Sequence, residues 1–338
     1  MRITPALLHK IARDTVAQRI RRDRTLLAVY LAGSLLSGDP LLGGTADIDL
    51  FCVHDDPVSP EREIQRLTDE VHLDIAHHGR DEYNQARTLR QHPWLGYGII
   101  NCTIMYDPQH FMDFTQASVR GQFNLPENIL SRVQNLSEHA RQIWLELHDE
   151  RQEPGLDQVS NYLRAVGQAA NAVACLNGPP LTDRRFLLQF PQRAAAVGRP
   201  GLYPGLVGLL GGAQVDSGDL QEWLQAWEGA YLAIPPETAT PRLHPDRFAY
   251  YRQAFESLLG SESPQDVLWP LLRTWHKAIR LLPADHPQVE TWQQVFSDIG
   301  LLGPGFRERV NALDAYLDSV EELLDEWGQA RGIERETL

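Results

Sequence analysis

The sequence predicts an α+β protein, with a small sheet flanked by helices over residues 1–115 and a larger all-α domain over residues 116–338. Three observations predict it. Short β-rich apolar runs recur four times up to Pro108 and nearly vanish after it. Segments with a 3.6-residue apolar repeat take over from there. A length of 338 residues, 43% hydrophobic and 22% charged, suits about two domains with real cores.

Leu7, Leu8, Ile11, Val16 and Ile20 recur at near-helical spacing and mark a first helix. The first 25 residues carry seven Lys/Arg against two Asp and no apolar core segment, so they read as part of the fold and not as a targeting peptide. Residues 25–32 (TLLAVYLA) form a buried strand ended by Gly33, and a Gly/Pro-rich loop runs to Thr45. Residues 47–53 (DIDLFCV) alternate, so Asp47 and Asp49 project from one strand face. Ser59 and Pro60 open a predicted helix to about Glu70, with Glu61 and Glu63 in its first turn. Residues 71–77 (VHLDIAH) make a third strand carrying Asp74, and residues 101–106 a fourth, closed by Asp107 and Pro108. Helical periodicity then covers 126–150, 155–177, 183–197, 216–232, 246–259, 264–281, 286–299 and 305–330. Gly/Pro-rich linkers fall at 177–180, 198–205 and 234–245.

Charge and cysteine content narrow the function classes. The formal net charge is −14, and residues 1–115 hold 12 basic against 16 acidic groups, so most of the excess lies in the helical part. A protein that coats nucleic acid needs a large basic footprint, so nucleic acid is not the expected partner. Cys52, Cys102 and Cys175 are far apart and sit in apolar stretches, which fits a reducing, cytoplasmic setting and neither a disulfide framework nor a zinc motif. No apolar run is long enough to cross a membrane.

The chemistry concentrates in residues 31–53, LAGSLLSGDPLLGGTADIDLFCV. Two carboxylates at i and i+2 on a strand raise each other's pKa unless a cation neutralises them. Carboxylates together with phosphate oxygens are the usual ligands of Mg²⁺. A Gly33–Ser34 turn lets backbone amides and a hydroxyl approach a phosphate closely. Asp74, between Leu73 and Ile75, completes a three-carboxylate cluster if its strand lies beside the first pair. Such a cluster can hold metal and accept a proton from an attacking hydroxyl.

This pattern resembles the DNA polymerase β-like nucleotidyltransferase superfamily, and within it the bacterial small-molecule enzymes that include the aminoglycoside adenylyltransferases. Gly33, Ser34 and Gly38 match the glycine-serine motif, Asp47 and Asp49 the two metal-binding aspartates, and Asp74 the third acid. The motif resemblance spans about residues 25–107; beyond it only the architecture is similar. It implies a nucleotidyltransferase-type mixed sheet and one or two Mg²⁺ held by Asp47, Asp49 and Asp74. The implied reaction transfers a nucleoside monophosphate to a hydroxyl of a small, aminoglycoside-like acceptor with release of pyrophosphate; ATP is the expected donor. Gly33 and Ser34 would hold phosphates, and Asp74 would activate the acceptor. Ala46 stands where the superfamily often has serine, with Thr45 one position earlier.

Lysine occurs only at positions 10 and 277, so a triphosphate would need arginine; Arg184 and Arg185, after the Thr182–Asp183 cap, are the preferred phosphate contacts, with Arg164 behind them. His72, His77 and His78 read as loop residues at a cleft mouth more than as metal ligands, and Asp107 as a turn or cap. Trp223, Trp227, Trp269, Trp275 and Trp292 read as core, and the acidic helix over 317–329 as a solvated face that could steer a cationic acceptor. The rival readings are an antitoxin-like nucleotidyltransferase that adenylylates a protein partner, an RNA-directed relative disfavoured by charge, and a catalytically silent nucleotide-binding module.

Overall fold

The computed structural model describes residues 3–333 apart from 39, 57 and 150–152. Helix α1 (Pro5–Arg22) starts on Thr4, whose hydroxyl accepts from the Leu7 amide at 3.3 Å, with proline in the first turn where a missing N–H costs nothing. The strands are β1 (Leu26–Ala32), β2 (Ala46–His54), β3 (Arg62–Arg66), β4 (Val71–Gly79) and β5 (Thr103–Tyr106). They form one mixed sheet in the order β3-β4-β2-β1-β5, in which β2 and β4 run parallel and the other pairs antiparallel. Helices α2 (Ala86–Gln91), α3 (Pro93–Asn101) and α4 (Phe111–Phe123) complete this part.

The period-two alternation of β2 sends its side chains to different cores. Ala46, Ile48, Leu50 and Cys52 pack with Leu73 and Ile75 of β4 against Leu8, Ala12 and Val16 of α1. The other face carries Asp47, Asp49, Phe51 and Val53. Its apolar half, Phe51 and Val53, joins Tyr30 with Leu89, Ile99, Met112, Val119 and Phe123 from α2, α3 and α4. The acidic half is met by a segment that comes back from far along the chain, residues 240–254.

The chain divides into two compact units, Met1–Leu125 with Thr240–Ala254, and Pro126–Ala239 with Phe255–Leu338. A boundary at 115/116 would cut α4, whose Met112, Val119 and Phe123 are fully buried in the first unit's core, so that unit continues to Leu125. The sequence pattern places residues 240–254 in a linker and a second-domain helix. They belong to the first unit because Arg247 pairs with Asp47 and the Tyr250 carbonyl accepts from the Thr45 hydroxyl at 3.3 Å.

The second unit is helical: α5 (Pro126–Asp149), α6 (Leu156–Ala174), α7 (Phe186–Ala196), α8 (Leu202–Leu209), α9 (Ser217–Leu232), the last residues of α10 (Phe248–Leu259), α11 (Leu268–Ile279), α12 (Pro287–Asp298) and α13 (Phe306–Gln329). The five tryptophans read as core are buried. The ring of Trp269 stacks on Phe186 at 4.0 Å and lies against Gly167, where a Cβ would crowd the indole. Asn171 is polar inside an Ala-rich helix because it accepts from the Leu181 amide at 2.7 Å and donates to the Gly167 carbonyl at 2.8 Å. Among the described residues no helix is long and apolar enough to cross a membrane.

One expected element is absent. Residues 59–70 hold no helix; their centre is β3, an edge strand. Cross-strand partners decide this. Arg62 lies opposite Ala76 and donates to Asp74, while Glu63 on the other face accepts both guanidinium Nη groups of Arg19, at 2.9 and 2.8 Å. His77 also bonds Glu63, at 2.7 Å. These partners lie outside the segment, so a local capping pattern does not register them, and a short charged strand is a usual way to end a sheet.

Leu50 is fully buried between β1 and β4 in the core lined by α1. Leu50→Ala should lower unfolding free energy by about 2–5 kcal/mol, read as an earlier urea midpoint.

Candidate active site

Strand β1 ends at Ala32, and Gly33 turns the chain with φ 77° and ψ −160°, a region that is essentially glycine's alone. A Cβ on Gly33 would overlap the Asp49 carboxylate, so the turn brings bare backbone against that acid. Ser34 follows, half-buried, at the start of a short 3₁₀ turn (Ser34–Leu36). The parallel register sets Asp49 directly beside Asp74 and Asp47 beside His72. Carboxylate oxygens of Asp47, Asp49 and Asp74 all lie within 4.8 Å of one another. Asp47 and Asp74 are 8% and 5% exposed.

Burial, followed by the charges of Asp47 and Asp74, pushes Asp49 up to about 8. Two arginines offset the cluster. Arg62 Nε donates to Asp74 Oδ1 at 2.6 Å, and Arg247 Nη2 donates to Asp47 Oδ2 at 2.7 Å, with Arg247 Nη1 at 3.6 Å from Asp74 Oδ2. The Arg247 guanidinium also lies 4.3 Å from the centre of the Tyr250 ring. His72 Nε2 is 3.0 Å from the Asp246 carbonyl, and burial lowers its pKa, which suits a neutral ring donating to that carbonyl.

The donor set fits a hard divalent cation. Asp47 Oδ1 is buried with no hydrogen-bond partner. Three carboxylates with no sulfur or imidazole among them favour Mg²⁺ or Mn²⁺ over softer metals. A metal ion can therefore be held by Asp47, Asp49 and Asp74.

The structure brings Gly33, Asp47, Asp49 and Asp74 together, with Ser34 next in the chain. Arg184 and Arg185 lie in the second unit, on the short turn Asp183–Arg185, with Arg184 buried. Arg164 is also there and bonds Asn161 at 3.0 Å. The histidines are strand residues of β4 and not loop residues. His72 and His78 share the acidic face, and His77 occupies the opposite one, where it bonds His54 at 2.9 Å. Asp107 caps the following turn by accepting from the Asp113 amide at 2.9 Å. Thr45 is buried and donates to the Leu42 carbonyl at 2.8 Å, while Ala46 points into the core lined by α1.

Sequence reasoning missed Arg62 and Arg247. The alternation in REIQR could have revealed β3 and hence Arg62; Arg247 stands 200 residues from Asp47 and left no local signal.

No family model and no curated protein matches the chain. It is similar in structure to a nucleotidyltransferase-like protein from Exiguobacterium sibiricum, at 11% identity over 86% of this chain and 92% of that one, with a TM-score of 0.32.

Gly33→Ala should cost at least about 1–3 kcal/mol in backbone strain, measured by urea unfolding. Without metal, native Asp49 keeps its proton at pH values where the unfolded chain has lost it. Stability should therefore fall as pH rises from the ordinary carboxylate range to about 8 and then level off. In metal-free melts across that range, Asp49→Asn should show a shallower decline than the wild type.

Proposed function

We propose that this protein is a Mg²⁺-dependent nucleotidyltransferase that moves AMP from ATP to a hydroxyl of a small molecule and releases pyrophosphate. The observation that carries the reading is the Gly33 backbone pressed against Asp49, beside Asp74 and Asp47 in one buried cluster. Asp47, Asp49 and Asp74 would hold the metal, which when bound supplies the positive charge a triphosphate needs.

The other contributions come from the chain. The Gly33–Ser34 turn offers amides and a hydroxyl to the phosphates without a side chain in the way. Arg62 occupies Asp74 Oδ1, which leaves Oδ2 to take the proton of the attacking hydroxyl. An acceptor with several amino groups, such as an aminoglycoside, suits a chain with net charge −14.

The test is incubation of the full chain with Mg²⁺ and α-labelled nucleoside triphosphates against a panel of aminoglycosides, other hydroxylated antibiotics and small proteins. Label should move from ATP to a small acceptor with matching pyrophosphate, and Asp49→Asn should lower the rate by about 100-fold or more. Label on a protein would favour the toxin-modifying rival. No pyrophosphate across the panel would count against an enzyme of this class.

A further inference from the structure

Arg247 has no part in the chemistry proposed above, yet it occupies the centre of the site. Its side chain is 3% exposed and makes one hydrogen bond, from Nη2 to Asp47 Oδ2 at 2.7 Å. Nε and Nη1 are buried with no hydrogen-bond partner, although Nη1 lies 3.6 Å from Asp74 Oδ2. A permanent buried arginine–carboxylate pair is normally bidentate with its donors satisfied, because each idle buried N–H is costly. Arg247 is held instead by that single hydrogen bond, by net charge and by the face of Tyr250, and another cation at the cluster can take over the charge-neutralising part. Its partners are two of the three carboxylates that can hold a metal ion.

The segment carrying Arg247 has its own anchors. His72 bonds the Asp246 carbonyl, Thr45 bonds the Tyr250 carbonyl, and Gly43, at φ 60°, packs against the Gln253 backbone. Because the guanidinium also packs on the Tyr250 and Tyr251 rings of its own segment, its departure from Asp47 loosens residues 246–251 with it.

We propose that Arg247 is the resident counter-cation of the Asp47–Asp49–Asp74 cluster, and that a divalent cation must displace it from Asp47 to bind. This rests on the reading of the cluster as a metal site. A guanidinium and a divalent cation on the same carboxylates repel each other, even where the ion takes Asp47 Oδ1 and Arg247 holds Oδ2, so the metal's apparent affinity is reduced by the cost of moving Arg247. The residue would then set the metal concentration at which the site loads, which is a role distinct from touching substrate.

The experiment measures Mn²⁺ binding to the full chain by the electron paramagnetic resonance of free Mn²⁺, with no nucleotide present. Arg247→Gln keeps a polar side chain of similar reach without the charge and should bind Mn²⁺ about tenfold more tightly than the wild type. Adding Asp49→Asn to either protein should abolish binding, which places the ion at the cluster. Equal or weaker binding by Arg247→Gln overturns the counter-cation role while leaving the metal site intact. Absence of binding in both proteins overturns the metal site itself and this inference with it. Should Arg247→Gln fail to fold, amide hydrogen exchange of the wild type decides. Saturating Mn²⁺ should speed exchange over residues 246–251, and unchanged or slower exchange overturns the proposal.

Discussion

Three carboxylates within 4.8 Å of one another on a buried sheet face form an arrangement that the surrounding structure has to offset. The parallel pairing of β2 with β4 creates it by putting Asp49 directly beside Asp74. Much else in the first unit reads as a response. The edge strand β3 brings Arg62 onto Asp74, the chain returns at residues 240–254 to bring Arg247 onto Asp47, and Asp49 sheds its charge by holding its proton up to about pH 8. Burying like charges is expensive unless they are paired or neutralised.

Acidity is handled differently in the second unit. Arg141 of α5 donates to Asp314 at 2.5 Å, Asp318 at 2.7 Å and Glu321 at 2.9 Å, all on α13. Part of the carboxyl-terminal helix's charge is thus used to join two long helices, and only the remainder is available to attract a cationic molecule. These half-exposed pairs add modestly to stability, in contrast to the buried pairs at the cluster.

The legible part of the site was the part encoded over short distances. A strand that alternates acid and apolar residues must present Asp47 and Asp49 together, and a glycine at the end of a buried strand announces a turn that other residues would strain. The second-unit helices were readable for a similar reason, since an apolar stripe at helical spacing has to be buried somewhere. Residues 59–70 misled because Ser, Pro and two glutamates make a good helix start. The competing strand is selected by Arg19, Asp74 and His77, none of them within the segment.

The sequence by itself determined the α+β class, the strand that carries the two aspartates, the glycine turn at the end of the first strand and the helices that follow. Each depends on spacing between neighbours, and backbone geometry converts spacing into direction. Tertiary structure alone decided which cations meet the acids. Arg62 reaches Asp74 through the register of an edge strand, and Arg247 reaches Asp47 across 200 residues. Electrostatic pairing acts through space, and any of the chain's many arginines carries the same charge until the fold brings one to 2.7 Å.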